Sequence, residues 1–312
     1  MLLILTSDKD LTADFLIVEL LDRKLPYFRL NVEDLSRAEY EFTDSGIRRV
    51  TVGPRSADLT EITAVWYRRA LFPITSSGDS YAQQVFVAGE VRHLAFGMVW
   101  NPKILWVNPI EKVYVAEHKI HQLVTAKQLG FSLPSTLVSS DVKELQAFVK
   151  NNPNGTICKP IYHGLFIDGP DSYSVYTRQV SAEDFEGQDR LNCPVLLQEK
   201  VPRRCDLRVT FIGKNCFAAA IHTPSPVVDW RDPSACATFS PVEIDPQLES
   251  RCREMLSTLG LRYGAFDFIR RPDDEEVFLE INPTGEWAWL ENSLGYPMRN
   301  AFIDLFYGDQ NA

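Results

Sequence analysis

The chain has 312 residues, 45% of them hydrophobic, and a formal net charge of -10. That length accommodates two or three compact domains, and the acidic balance argues against a broad nucleic-acid footprint, which needs basic surface to displace counterions. No apolar run of about 18 residues occurs and the opening MLLILTSDKD lacks the basic start and long apolar stretch of a secretory signal, so no membrane partner is expected and the reading is cytoplasmic.

In chain order, LLILTS reads as a buried first strand. DLTADFLIVELLDRKL follows as a helix, with Leu11, Phe15, Val18 and Leu21 at helical spacing, and YFRLNV is a second strand. This start predicts a small α/β domain on a parallel sheet. No G-x-G-x-x-G opens its first helix, so a dinucleotide site is not expected. ITAVWYRR continues the domain, Asp79 to Trp100 reads as an amphipathic helix, and KILWVNP is a strand stopped by Pro109. A boundary near Glu111 gives a first domain of residues 1–111.

Beyond it, VYVAEHKIHQLVTAKQLG reads as one helix closed by Gly130. STLVS is a strand, DVKELQAFVKNN a helix capped by Asp141, and TICKPI a strand. These form an α+β module over 112–190. From Val195 the strands lengthen: VLLQEKV, DLRVTFIG and CFAAAIH. A helix then runs from Asp245 and Pro246 to Gly260, and YGAFDFIRR and VFLEINP close a third module, 191–312, as two strands. The six cysteines are scattered with no C-x-x-C pair, so reduced, mostly buried thiols are expected rather than a zinc site or a disulfide framework.

The last two strands carry the chemistry. With RPDDEE as their loop and Arg270 opposite Val277, Asp267 falls opposite Glu280, and alternation puts Asn282 on the same face. Like charges directly opposite destabilise a sheet, which makes sense if a cation sits between them. Two carboxylates and an amide oxygen are hard ligands for magnesium or manganese, with positions left for phosphate oxygens. A solvated hairpin with incidental acids gives the same pattern. Lysines upstream supply counter-charges for phosphate: Lys159 ends the apolar TICKP, and Lys119 lies on the helix after the boundary, where an exposed lysine is the plainer reading. In LLQEKVPRRCDLRV the strand runs through Glu199, Lys200 and Val201 and breaks at Pro202. Its backbone could read an adenine edge, and Asp206 could accept a ribose hydroxyl.

Together, KP on a strand, the QE hinge, an Asp-x-Arg strand, an Asp and E-x-N-P resemble the ATP-grasp superfamily. More narrowly, VWYRR (65–69), DWR (229–231) and EINPTGEWAWLE (280–291) resemble the microviridin-type peptide ligases, the graspetide synthetases, over nearly the whole chain. The resemblance implies an α/β ATP-grasp fold behind an N-terminal pre-ATP-grasp parallel-sheet domain. It also implies ATP and Mg2+ as cofactors, with Mn2+ able to serve, and a ribosomally made precursor peptide, leader plus core, as partner; it leaves room for a homodimer.

Residue by residue, the resemblance makes Lys119 and Lys159 nucleotide lysines, Glu199 to Val201 the adenine hinge and Asp206 the ribose acid. Asp267, Glu280 and Asn282 become metal ligands, and Arg208 and Arg231 arginines that face the phosphates and the reacting carboxylate. The implied reaction activates a peptide carboxylate as an acyl phosphate and closes an ester or amide ring on a Thr or Ser hydroxyl or a Lys amine. One departure stands out. Where many ATP-grasp enzymes have a Gly- and Ser-rich lid after KP, this chain has IYHGLFIDGPDSYS, with bulky Leu165 and Phe166 after His163 and Gly164, suited to excluding water from an acyl phosphate. In VWYRR an arginine pair holding a domain interface is the preferred reading, and core packing is preferred for Trp287 and Trp289. None of His118, His121, His163 and His222 stands out as a general base. A ligase for free amino acids or a protein tail shares the nucleotide site, and an ATP-binding regulatory module without turnover is the non-enzymatic alternative.

Overall fold

The computed structural model describes residues 1–68, 80–99, 103–162, 165–168, 171–174, 177–224, 227–231 and 233–308. The chain opens with β1 (Leu2–Thr6), α1 (Leu11–Asp22) and β2 (Tyr27–Asn31). Then come β3 (Glu39–Thr43), β4 (Gly46–Val52), β5 (Arg55–Asp58), β6 (Ala64–Tyr67), α2 (Tyr81–Gly97) and β7 (Leu105–Val107). Strands β2, β1, β6 and β7 form, in that order, a wholly parallel sheet. Strand β1 is buried on both faces, as a parallel sheet covered on both sides requires. Leu2 and Ile4 join a core with α1 and the C-terminal helices, whereas Leu3 and Leu5 pack with β4, β5 and the end of α2. The antiparallel sheet β3-β4-β5 had no counterpart in the sequence reading. The buried face of α1 is Thr12, Ala13, Leu16 and Leu20, while Leu11, Val18 and Leu21 point largely to solvent. The helix is apolar on more than one side, so spacing alone selects the wrong stripe.

Two helices, α3 (Ile110–Ala116) and α4 (Lys119–Gln128), replace the single helix expected there; the chain breaks at Glu117 and His118, and Lys119 becomes the first residue of α4. Next come β8 (Thr136–Asp141), α5 (Val142–Asn151), β9 (Thr156–Lys159), β10 (Leu165–Asp168), β11 (Asp171–Ser174), β12 (Arg178–Val180) and β13 (Arg190–Glu199). Asp141 caps α5 by accepting from the Lys143 and Glu144 amides, as its sequence position suggests. The central sheet runs β12-β9-β13-β8, so residues 190–199 are hydrogen-bonded into it. Strands β10 and β11 pair as a separate antiparallel hairpin over the stretch read as a lid. His163 and Gly164, and the side chains of Leu165 and Phe166, lie outside the described residues.

The last module comprises β14 (Cys205–Ile212), β15 (Asn215–His222), β16 (Thr238–Pro241), α6 (Pro246–Leu259), β17 (Tyr263–Arg270), β18 (Glu276–Asn282), α7 (Ala288–Leu294) and α8 (Met298–Tyr307). Its five strands form an antiparallel sheet in the order β16-β15-β14-β17-β18. Asp245 caps α6 and Gly260 ends it at φ 69°, a left-handed conformation that costs glycine nothing. One face of the sheet carries Leu207, Val209, Phe211, Phe266, Phe268, Phe278 and Ile281, packed on α6 and on Ala126 of α4. Among the described residues no helix is long and apolar enough to cross a membrane. The cysteines are free thiols, but only Cys205 and Cys252 are fully buried, and Cys193 and Cys236 are exposed.

Candidate active site

Because Leu207, Val209, Phe266 and Phe268 face the core, alternation sends Asp206, Arg208 and Asp267 to the opposite face of the C-terminal sheet. Glu280 and Asn282 join them from β18. Asp267 pairs directly with Glu280, as expected, but the register behind that expectation is corrected: Val277 pairs with Ile269, and Arg270 with Glu276. A bulge between the Asp267 and Phe268 pairs absorbs the difference at Leu279. It also explains why Phe278 and Ile281, three residues apart, both face the core.

The carboxylates are held before any ligand is considered. Arg208 Nη1 donates to both oxygens of Asp267 at 2.8 Å. Asn282 Nδ2 donates to Asp267 Oδ2 at 2.9 Å and reaches Glu280 Oε1 at 3.4 Å. The Lys119 ammonium lies 3.9 Å from Glu280 Oε2 and donates to the carbonyls of Pro160 and Tyr162. Burial alone would raise the pKa of Glu280, but Lys159, Lys119 and Arg231 outweigh it and hold the carboxyl below its usual range. Burial raises Asp267, and Arg208 only partly offsets it. Burial also lowers the Lys159 ammonium to about 8 against the pull of Glu280. Glu280 and two lysines therefore act on each other, Lys159 from the central sheet and Lys119 from α4, which packs on the C-terminal sheet.

A residue missed by the sequence reading sets that approach. Gln122, 3% exposed, accepts from the Ile281 amide at 3.0 Å and donates to the Ile281 carbonyl at 2.8 Å. It thus binds α4 to β18 midway between Glu280 and Asn282. Lys119 stands one turn earlier on the same helical face, opposite Glu280.

Of the expected hinge, Glu199 ends β13 and its amide donates to Ser135 O; the Lys200 amide donates to Gly155 O and its ammonium to Gln179. Val201 packs with Ile269 and Val277 and so joins the central sheet to the C-terminal one. Asp206 is buried 3.3 Å from Arg203, and desolvation pushes its pKa up to about 7. Arg203 also donates to the carbonyls of Val227 and Val228, which lead into Asp229, Trp230 and Arg231. Arg231 is half-exposed, with its guanidinium already forked onto both oxygens of Asp229 at 2.9 and 3.0 Å. Trp230 packs against Trp289 and Phe239. Trp287 is a core residue, as expected, and Trp289, partly buried against the same core, also anchors this loop. His118 sits at the start of α4 with its ring against Tyr114. Arg68 joins the N-terminal sheet to the turn after Asn282, and Arg69 lies outside the described residues.

No protein-family model and no curated protein matches the chain. Solved structures do. The macrocyclase MdnC bound with precursor peptide MdnA, from Microcystis aeruginosa MRC, superimposes with a TM-score of 0.86 at 28% identity, over 98% of this chain and 99% of that one. The macrocyclase MdnB from Microcystis aeruginosa MRC gives 0.80 at 26% identity over 99% of each chain. The ATP-grasp ligase PsnB, complexed with a phosphomimetic variant of its minimal precursor, Mg and ADP, shares the fold at 20% identity and a TM-score of 0.79, over 98% of each chain. Along its whole length the chain is similar to the macrocyclases MdnC and MdnB, and it shares the fold of the ATP-grasp ligase PsnB.

Proposed function

We propose that this chain is an ATP-dependent macrocyclase of a ribosomally made precursor peptide. It converts Asp or Glu side chains of the core to acyl phosphates and joins them to Thr or Ser hydroxyls or Lys amines as ω-ester or ω-amide rings, releasing ADP and phosphate. The reading rests above all on Asp267 lying opposite Glu280, with Asn282 bonded to both and Lys119 facing Glu280 from the start of α4. A partly buried like-charge pair with an adjacent amide is a donor set for a hard divalent ion, so the residues fit Mg2+, and Mn2+ equally. Asp267, Glu280 and Asn282 would hold the ion, and it would neutralise phosphate oxygens during transfer.

The chain's own residues do the rest. Lys119 and Lys159 bind phosphate oxygens as point charges, Glu199, Lys200 and Val201 border the adenine, and Asp206 accepts a ribose hydroxyl. Arg208 keeps Asp267 oriented and presents its remaining donors to the phosphates. The Arg231 fork, preset by Asp229, suits a substrate carboxylate bidentately. Division into modules 1–111, 112–190 and 191–312 belongs to the same proposal with two adjustments, because β13 (Arg190–Glu199) pairs in the central sheet and α4 packs on the C-terminal core; the reacting groups converge between those two sheets. A homodimer does too, and sedimentation would measure it.

The test is mass spectrometry of a candidate precursor peptide, rich in Thr, Asp and Glu, after incubation with the protein, ATP and magnesium. Loss of one water per ring with matching ADP formation is expected. An unchanged peptide, with ATP turnover only on adding a free amino acid, would instead identify an amino-acid ligase.

A further inference from the structure

The turn that follows Asn282 is held by residues far away in sequence. Asn108, 1% exposed and just past β7, donates to the Pro283 carbonyl and the Tyr263 carbonyl, both at 2.8 Å; its Oδ1 accepts from the Arg262 and Tyr263 amides at 2.8 and 3.0 Å. All of its amide groups are thereby engaged. Arg68, also 1% exposed and just past β6, donates from Nη1 to the carbonyls of Thr284 at 2.7 Å and Gly285 at 2.9 Å. Its remaining nitrogens face Asp10 Oδ2, at 3.3 Å, and Glu286, which also accepts from Thr12. Tyr263 donates its hydroxyl to Gly285 O at 2.7 Å.

Each carbonyl from Pro283 to Gly285 thus has a side-chain donor, and the Pro283 and Thr284 donors come from the N-terminal module. The turn is also seated tightly on the carboxylate strands. A Cβ on Gly285 would lie 2.9 Å from Ala265 Cβ, closer than real Cβ atoms come, and 3.1 Å from Asn282 Cβ, which would have to shift. Three carbonyls that start within three residues of Asn282 fix where β18 ends, and so where its amide and Glu280 point.

We propose that Arg68 and Asn108 are positioning residues for the metal-binding carboxylates: the N-terminal module acts as a jig that sets Asn282 and Glu280 through the turn 283–286. The inference rests on the metal reading given above. A lysine at 68 would keep the charge opposite Asp10 and Glu286, but one ammonium cannot span two carbonyls and two carboxylates as a guanidinium does.

The experiment measures free Mn2+ by electron paramagnetic resonance during titration of the full chain in the presence of ADP. Metal-free ADP affinity and the thermal transition are recorded alongside. For Arg68→Lys we expect a cooperative thermal transition, unchanged metal-free ADP affinity and an Mn2+ dissociation constant raised about 10-fold or more, the usual consequence of losing a residue that orients a ligand. Gly285→Ala, which unpairs no charge, is expected to show the same pattern and decides the matter if the lysine variant does not fold. Unaltered Mn2+ binding in these variants, or metal-free ADP affinity lost in parallel, would overturn the inference. Identical Mn2+ binding by wild type and Glu280→Gln would overturn the metal reading, and the inference with it.

Discussion

The C-terminal and central sheets bring opposite charges to one cleft, yet they hold them differently. Asp267, Glu280 and Asn282 stand on a sheet whose other face is a large aromatic and aliphatic core, and on the adjacent strand Arg208 Nη1 donates to both oxygens of Asp267. Lys159 ends a short strand in a sheet whose buried core is Val142, Leu145, Val180, Phe185 and Leu197, and the carboxylate that acts on it most strongly, Glu280, lies on the other sheet. Asp267 is preset by its own sheet, whereas Glu280 and Lys159 are balanced against each other from two sheets. Damage to the Asp267–Arg208 pair should therefore reach both chemistry and stability, and damage to Lys159 should appear mainly in ligand binding.

The largest expected effect is on turnover. Glu280→Gln keeps the shape of the side chain and removes a ligand, so the fold should persist while ADP formation falls by at least about 10³-fold, equivalent to about 4 kcal/mol of barrier. Full activity in that variant would end the metal assignment. Arg208→Met should cost about 3–5 kcal/mol of stability by taking the cationic partner from the largely desolvated Asp267, and adding Asp267→Asn should restore most of it; denaturant unfolding of the single and double variants measures this coupling. Lys159→Met should unfold like the wild type but bind ADP about 10–100-fold more weakly, the size of one charge-assisted hydrogen bond to phosphate, as read by calorimetry. A stability loss as large as that of Arg208→Met would erase the contrast between the sheets.

Asp206 adds a smaller effect with a definite sign. Its carboxyl is raised by burial from 3.8 to about 7, so the folded protein keeps a proton that the unfolded chain releases, and stability is lost as pH rises through that window. Asp206→Asn cannot lose that proton. The whole shift caps its advantage at about 4 kcal/mol, and unpairing Arg203 takes back part, so a gain of about 1–2 kcal/mol is expected at pH 8 and none at pH 5. Melting curves at the two pH values would show it.

What the sequence made legible follows from what its partners were. The facing of Asp267 and Glu280 could be read because strand alternation and a hairpin relate residues close in sequence. The assumed pairing of Arg270 with Val277 was one residue off, and the bulge at Leu279 restored the register where it mattered. Gln122, Asn108 and Arg68 left no such trace. Their partners are mostly backbone carbonyls and amides more than 150 residues away, which no side-chain pattern marks. The break between α3 and α4 was hidden for a related reason. Helical periodicity persists across Glu117 and His118, and packing of Gln122 on β18 decides where α4 points.

The most direct test of the central claim is to trap the activated carboxylate. The protein would be incubated with ATP, magnesium, hydroxylamine and a precursor peptide whose Thr, Ser and Lys residues are replaced by alanine, and the peptide then sequenced by tandem mass spectrometry. The account predicts hydroxamates on Asp or Glu side chains, with one ADP and one phosphate formed for each. AMP and pyrophosphate in place of ADP, or ADP formed with every carboxylate unmodified, would contradict it.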